Sequence, residues 1–289
     1  MKVGVAVAPW GEPAVRYSAL REYARLIEER GLDSLWVYDH MLVRRPGQGT
    51  AGGWEAWTVL SALAEATARV ELGMLVAAAP FRNPAVFAKM LATLDDVSDG
   101  RVIAGLGAGW HQPEFDSFGI PFDHLATRFE EAVHIIKPLL RDGRVDFTGR
   151  FYQAPDCELI PRGPRPAGPP LLLAGNRPRM LDIVAQHADM WNTAWHAEPA
   201  GARERLESMR QACERNGRDP ATLELTAGVA IAYPDLGGKS NFAVSLSDGV
   251  AEALHGYAEM GIKHVIFDVK PFTPEALDRV AEAVATFRG

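Results

Sequence analysis

A closed (β/α)8 barrel of TIM type is the fold this 289-residue sequence predicts, on three observations. Short, continuously apolar runs recur along the chain, as in strands buried on both faces of a parallel sheet. Segments of helical periodicity alternate with those runs throughout. Eight such units fill the length, which favours closure over an open doubly wound sheet.

The elements follow in order. Val3–Ala8 is the first apolar run, and helical periodicity from Ser18 to Glu29 stops at Gly31, a natural C-cap. Ser34–Tyr38 is the second strand, followed by a helix near Ala56–Thr67 and the strand Val70–Ala77. Asn83-Pro84 supplies an N-cap and a first-turn proline for a helix to about Val97. Asp99-Gly100 turns into the strand Val102–Gly107, and a helix spans Ala126–Leu140. Regularity lapses at about 141–168, where Pro, Gly and Arg indicate an excursion or small hairpin inserted after strand 4. Leu171–Ala174 resumes the strands, with Asn176 expected to cap a helix to Gln186. Met190–Thr193, a helix Ala200–Asn216 and the strand Leu223–Ile231 come next. A second irregular stretch after strand 7, about 234–246, precedes the helix Asp248–Met260, the strand Val265–Asp268 and the helix Pro274–Phe287. Both insertions are expected to shape a pocket or lid. One domain over residues 1–289 is expected.

Composition narrows the class. Hydrophobic residues make up 47% and charged residues 23%, the balance of a soluble globular enzyme. A net charge of -7 argues against non-specific nucleic-acid binding. No apolar run approaches membrane-spanning length, and the opening run is too short and lacks the cleavage pattern for a signal peptide. Cys157 and Cys213 have no metal-type spacing and read as reduced thiols in a cytoplasmic protein.

In a barrel of this kind the active site lies at the C-terminal ends of the strands. Those ends collect Pro9-Trp10, Asp39-His40, Ala77–Pro80, Gly109-Trp110-His111, Gly175-Asn176, Thr193–His196 and Asp268. Asp39 with His40 can orient a substrate, bind a ring nitrogen or move protons, or can simply cap loop amides and fill space. Gly175-Asn176-Arg177-Pro178-Arg179 opens a helix and is either a phosphate seat or ordinary capping with surface arginines. Gly105, Gly107 and Gly109 leave one strand face without Cβ atoms, a stripe on which a flat ring or another backbone can lie. A side chain at Gly107 is expected to block that seat while sparing the fold. A dinucleotide fingerprint would need glycine at position 110, where Trp110 stands.

Five segments carry a family resemblance: Leu32–His40, Pro80–Val86, Gly100–Trp110 with Glu114-Phe115 and Phe118-Gly119, Ala174–Asn176, and Ala188–Asn192. In order and spacing they resemble the luciferase-like flavin and deazaflavin enzymes, particularly the branch using coenzyme F420, over essentially the whole chain. The resemblance implies a barrel holding the ring at its strand ends, with a non-proline cis peptide joining Leu75 and Val76 as a bulge behind it. It implies cofactor contacts at Asp39, Gly107, Ala108 and Gly109, a phosphate seat at Ala174, Gly175 and Asn176, and His40 near the reactive carbon. It also implies a homodimer. Deazaflavin dehydrogenases of this fold often carry a glutamate directly after the glycine strand. Here Trp110 stands there, with His111 next and Glu114 further on, so the acid assignment stays open and a sugar-phosphate dehydrogenase is not supported. The catalytic candidates are His40, as proton donor or orienting group, Trp110, as a stacking surface for substrate or cofactor, and His111.

The expectation is an F420-dependent oxidoreductase passing hydride to or from a small organic substrate. Trp10, Trp54, Trp110, Trp195 and Phe81 suggest that the substrate is apolar or aromatic. An FMN-dependent luciferase-like monooxygenase is the alternative. A metal-dependent hydrolase would need His40, His111, His196 and Asp268 to converge, yet the first strand offers no His-x-His pair, so no metal ligand is assigned.

Overall fold

The computed structural model describes residues 1–7, 15–44, 47 and 49–289. Ala8, Pro9 and Trp10 lie outside them. The first half contains β1 (Lys2–Ala6), α1 (Tyr17–Glu29), β2 (Ser34–Val37), β3 (Leu42–Arg44), β4 (Thr50–Gly52), α2 (Ala56–Ala66), β5 (Glu71–Met74) and β6 (Ala77–Ala78). Next come α3 (Pro84–Val97), β7 (Val102–Gly107), α4 (Gln112–Ser117), α5 (Leu125–Asp142), β8 (Arg144–Thr148) and β9 (Gln153–Glu158). The remainder is β10 (Leu171–Ala174), α6 (Pro178–His187), β11 (Met190–His196), α7 (Arg203–Arg215), β12 (Glu224–Ala232), α8 (Val250–Glu259), β13 (His264–Lys270) and α9 (Pro274–Arg288).

Eight parallel strands bond in the order β1-β2-β5-β7-β10-β11-β12-β13, and β13 returns to β1. The sheet is therefore closed, with helices outside, as the alternation predicts. Alternate residues point inward: Ala6, Trp36, Leu75, Ile103, Leu172, Met190 and Ile266 fill the lumen. The opposite faces of the strands meet the helices in a second, larger apolar layer. Among the described residues no helix is long and apolar enough to cross a membrane.

Local chemistry sets the boundaries. Asn83 Oδ1 accepts from the Ala85 and Val86 amides at 3.0 and 3.2 Å, and Pro84 opens α3, as expected. Asn176 does not cap α6. Arg177 occupies that position in extended conformation without a side-chain bond, because Pro178 opens the first turn one residue later than expected. The stretch 141–168 forms the antiparallel hairpin β8–β9 and follows α5. Glu131 of α5 fastens it, accepting the amides of Arg150, Phe151 and Tyr152 at 2.9 to 3.0 Å.

The glycine stripe of β7 has an occupant. A Cβ on Gly105 would meet the Met74 carbonyl, and one on Gly107 would stand 2.6 Å from Val76 Cγ2. Met74 ends β5 and Val76 follows two residues later, across a Leu75–Val76 peptide that is cis, as the resemblance implies. The bare face thus admits the adjoining strand, and Val76 stands over Gly107. Replacing Gly107 with Val is accordingly expected to overpack this junction and cost about 1–3 kcal/mol of stability. Urea denaturation checks it; an unchanged midpoint would mean that Val76 yields without cost.

Candidate active site

At the C-terminal end of the barrel the strand ends enclose a cavity of about 740 Å³. Its wall is largely aromatic: Tyr38, Phe81, Trp110, Phe115, Trp195, Phe242 and Phe272. Such a volume and lining suit a ring-sized organic ligand.

Three carboxylates of the wall, Asp39, Glu114 and Asp268, each have a basic partner. Asp39 follows β2, and its Oδ2 accepts from the Ala78 amide at 2.9 Å and from Arg82 Nη1 at 2.6 Å. Arg82 Nη2 reaches Asp39 Oδ1 at 3.0 Å and Glu55 Oε1 at 2.5 Å. Burial alone would weaken the Arg82 charge, but its bonds to Asp39 and Glu55 outweigh that and raise its pKa. Asp39 is therefore clamped between the Ala78 amide of β6 and a guanidinium, and it lines the cavity.

His40 Nδ1 lies 2.9 Å from Glu114 Oε2. The other oxygen, Glu114 Oε1, accepts the amides of Met41 and, at 3.1 Å, Leu42. Glu114 is only 1% exposed, and α4 brings it there with Phe115 beside it. An acceptor-only carboxylate against Nδ1 assigns that nitrogen as the donor and fixes the ring plane. Trp110 meets His40 edge-on at 5.5 Å and is 63% exposed, a rim rather than a core residue.

Lys270 Nζ stands 3.1 Å from Asp268 Oδ1 on the β13 side of the cavity. Burial, and then the charge of Asp268, push the Tyr38 phenol well above its ordinary range. Tyr38 Oη is buried with no hydrogen-bond partner among the described residues. Trp195 stacks on Phe242 at 4.2 Å and meets Tyr38 edge-on at 5.8 Å.

Asp39, His40, Leu75, Val76, Gly109 and Trp110 thus line one cavity. His111 is buried beside them, and its Nε2 accepts the Arg44 amide at 3.0 Å, so it supports the β3 segment instead of facing the cavity. Gly107 and Ala108 lie outside the wall, as do Ala174, Gly175 and Asn176. A Cβ at Gly175 would stand 2.6 Å from Met180 Cβ, and Arg179 is paired with Glu130 at 2.7 Å. Of the two insertions, only the second reaches the site, through Asn241 and Phe242. The first packs on α5, contrary to expectation, because Glu131 holds it there. Trp54 also stays off the wall, donating to the Val15 carbonyl at 2.7 Å.

The four residues considered for a metal do not converge. His40 turns to Glu114, His111 to the Arg44 amide, and Asp268 to Lys270. His196 turns to Thr193 Oγ1 at 3.0 Å, and burial followed by the charge of Arg205 lowers its pKa to about 4. Among the described residues no group of three or more His, Cys, Asp or Glu is placed to hold a metal ion.

Sequence reasoning missed the use of Arg82 and Glu114, although both sit inside the matching segments. The readable signal was a lone cation in Pro80-Phe81-Arg82-Asn83-Pro84 and a carboxylate beside Phe115. It also missed the hairpin β3–β4, which brings Val43 and Ala51 to the wall.

Comparison with known proteins identifies the family. Residues 1–236 match the family described as luciferase-like monooxygenase. The chain is 38% identical over 173 residues to an F420-dependent glucose-6-phosphate dehydrogenase of Amycolatopsis mediterranei, covering 58% of this chain and 50% of that one. It is 32% identical over 188 residues to the pyrimidine monooxygenase RutA of Klebsiella pneumoniae, covering 61% and 50%. The chain therefore spans about half the length of these curated relatives. An F420-dependent secondary alcohol dehydrogenase, solved with an F420–acetone adduct, superposes with a TM-score of 0.78 at 20% identity, covering 100% of this chain and 99% of the other. That likeness is one of fold. The match over residues 1–236, on a chain that folds as a closed parallel barrel, gives the assignment: the chain belongs to the luciferase-like monooxygenase family.

Proposed function

We propose that the chain is a coenzyme F420-dependent oxidoreductase acting on a small apolar or aromatic substrate. The observation that carries the reading is the buried Glu114–His40 pair opening into an aromatic cavity at the strand ends. The residues present fit a flat deazaflavin: the cavity is ring-sized, and the unpartnered Tyr38 Oη is a polar contact for its heteroatoms. Asp39, Leu75, Val76 and Gly109 would hold the ring from the wall, with Gly107 and Ala108 behind Val76. Ala174, Gly175 and Asn176 would serve the phosphate end beyond the cavity. Bound there, the deazaflavin supplies hydride chemistry and little reactivity toward oxygen.

The protein supplies orientation, dryness and a proton. Glu114 engages His40 at Nδ1, so Nε2 is the nitrogen that passes a proton to or from substrate, with His111 bracing the segment behind it. Trp110 and the Trp195–Phe242 stack cover bound substrate from water. The similarity to an F420-dependent dehydrogenase supports this reading, and the similarity to RutA favours FMN-dependent monooxygenation as the second. The free cysteines support a cytoplasmic location, and the family resemblance supports a single-domain chain working as a homodimer.

The test is fluorescence titration of purified protein with F420 and, separately, with FMN. Saturable F420 binding is expected, lost on Asp39→Ala together with its clamp. FMN binding without F420 binding selects the monooxygenase, and binding of neither overturns both.

A further inference from the structure

We propose that His134 and His187 form a two-histidine clip for a borderline divalent ion of the Zn2+ type, on the outside of the barrel between α5 and α6. Their Nε2 atoms face one another at 3.3 Å, with ring centroids 4.9 Å apart and planes at 80°. Two imidazole nitrogens about 2.0–2.1 Å from one tetrahedral ion stand about 3.3–3.4 Å apart, so the separation is the bite of such an ion. At the same distance the two neutral rings share one N–H···N hydrogen bond when no ion is bound, so an ion takes the place of a single proton.

The helix backbones that carry the two rings are anchored in the core. His134 is an exposed position of α5 flanked by buried Val133 and Ile135, and His187 ends α6 just after buried Ile183, Val184 and Ala185. Little freedom is therefore lost when an ion joins them. Glu130 lies one turn before His134 on the same helix, and its negative charge acts on His187. Burial first, then the neighbouring His134 and Lys137, lower the His187 pKa to about 4, so its ring is neutral near pH 7. A neutral imidazole is the form that binds a metal, and nitrogen donors suit Zn2+, Ni2+ or Cu2+.

Neither residue lines the cavity. α5 precedes β10 and α6 follows it, so an ion here would tie together the two helices flanking one barrel strand, without touching the reaction. Water would complete the coordination.

Chelator-stripped protein titrated with ZnCl2, by calorimetry and by thermal unfolding, tests the clip. Saturable binding of about one ion per chain and a raised melting temperature are expected. His134→Gln and His187→Gln should each weaken binding at least about tenfold and abolish the rise. Their metal-free melting should match the parent protein, and His255→Gln should retain both responses. No binding up to millimolar Zn2+, or binding that both variants leave intact, overturns the proposal.

Discussion

Glu114→Ala is expected to cost about 3–5 kcal/mol of folding stability, the range for stripping one partner from a buried charged network. The carboxylate is buried and serves three donors at once: His40 Nδ1 at 2.9 Å, the Leu42 amide at 3.1 Å and the Met41 amide. Alanine leaves all three unsatisfied in a site that water reaches poorly, and each orphaned group adds its own desolvation cost. Glu114→Gln separates stability from chemistry. Its amide oxygen still accepts the two backbone N–H groups, so the loss should fall to about 1–2 kcal/mol. Its NH2 then faces Nδ1, which must accept, and the ring proton moves to Nε2. Urea denaturation reads the first effect, and the nitrogen shifts of a labelled histidine read the second. If Glu114→Ala unfolds with the parent midpoint, or the Gln variant leaves the His40 tautomer unchanged, Glu114 is not what holds His40.

The barrel was legible because its strands are apolar throughout and its helices keep their period, two signals that survive without knowledge of any partner. Asn83-Pro84 was legible for the same reason: a cap is a local interaction, complete within a few residues. The site was legible only as a set of strand ends. Which groups meet across them depends on contacts distant in sequence, such as His40 with Glu114, 74 residues apart. The glycine stripe shows the limit most plainly. One strand reveals that a face is bare, but not that Met74, the last residue of the neighbouring strand, and Val76 just beyond it fill it. The hairpin β3–β4 was hidden for another reason. Its strands are three residues each, with Gly, Pro and Arg between them, and read as loop. Two strands were longer than their apolar runs suggested. β11 continues to His196 past a register shift and the cis Ala194–Trp195 peptide, and β13 continues to Lys270.

Acid is expected to weaken the barrel through its other end, at His264. This ring is 0% exposed, and Ser34 Oγ lies 2.7 Å from its Nε2. The same hydroxyl oxygen accepts Trp36 Nε1–H at 2.8 Å, and toward Nε2 it donates its own proton or accepts with its second lone pair, according to the ring tautomer. Nδ1 has no partner among the described residues. Protonation puts hydrogen on both ring nitrogens, which leaves the Nδ1–H without an acceptor among the described residues and an unpaired cation in the lumen. Burial, and then the positive Lys2, accordingly lower the pKa from 6.5 to about 3. The unfolded chain binds this proton below its ordinary pKa while the folded chain refuses it. The contribution is thus fully present above about pH 6.5 and is lost as pH falls toward 3, to a limit of about 4–5 kcal/mol. His264→Gln should be less stable at neutral pH but should lose less on acidification, because it has no ring to titrate. Urea midpoints of both proteins between pH 7 and pH 4 decide the matter. Parallel pH dependences would show that carboxylates elsewhere, and not the buried imidazole, govern acid unfolding.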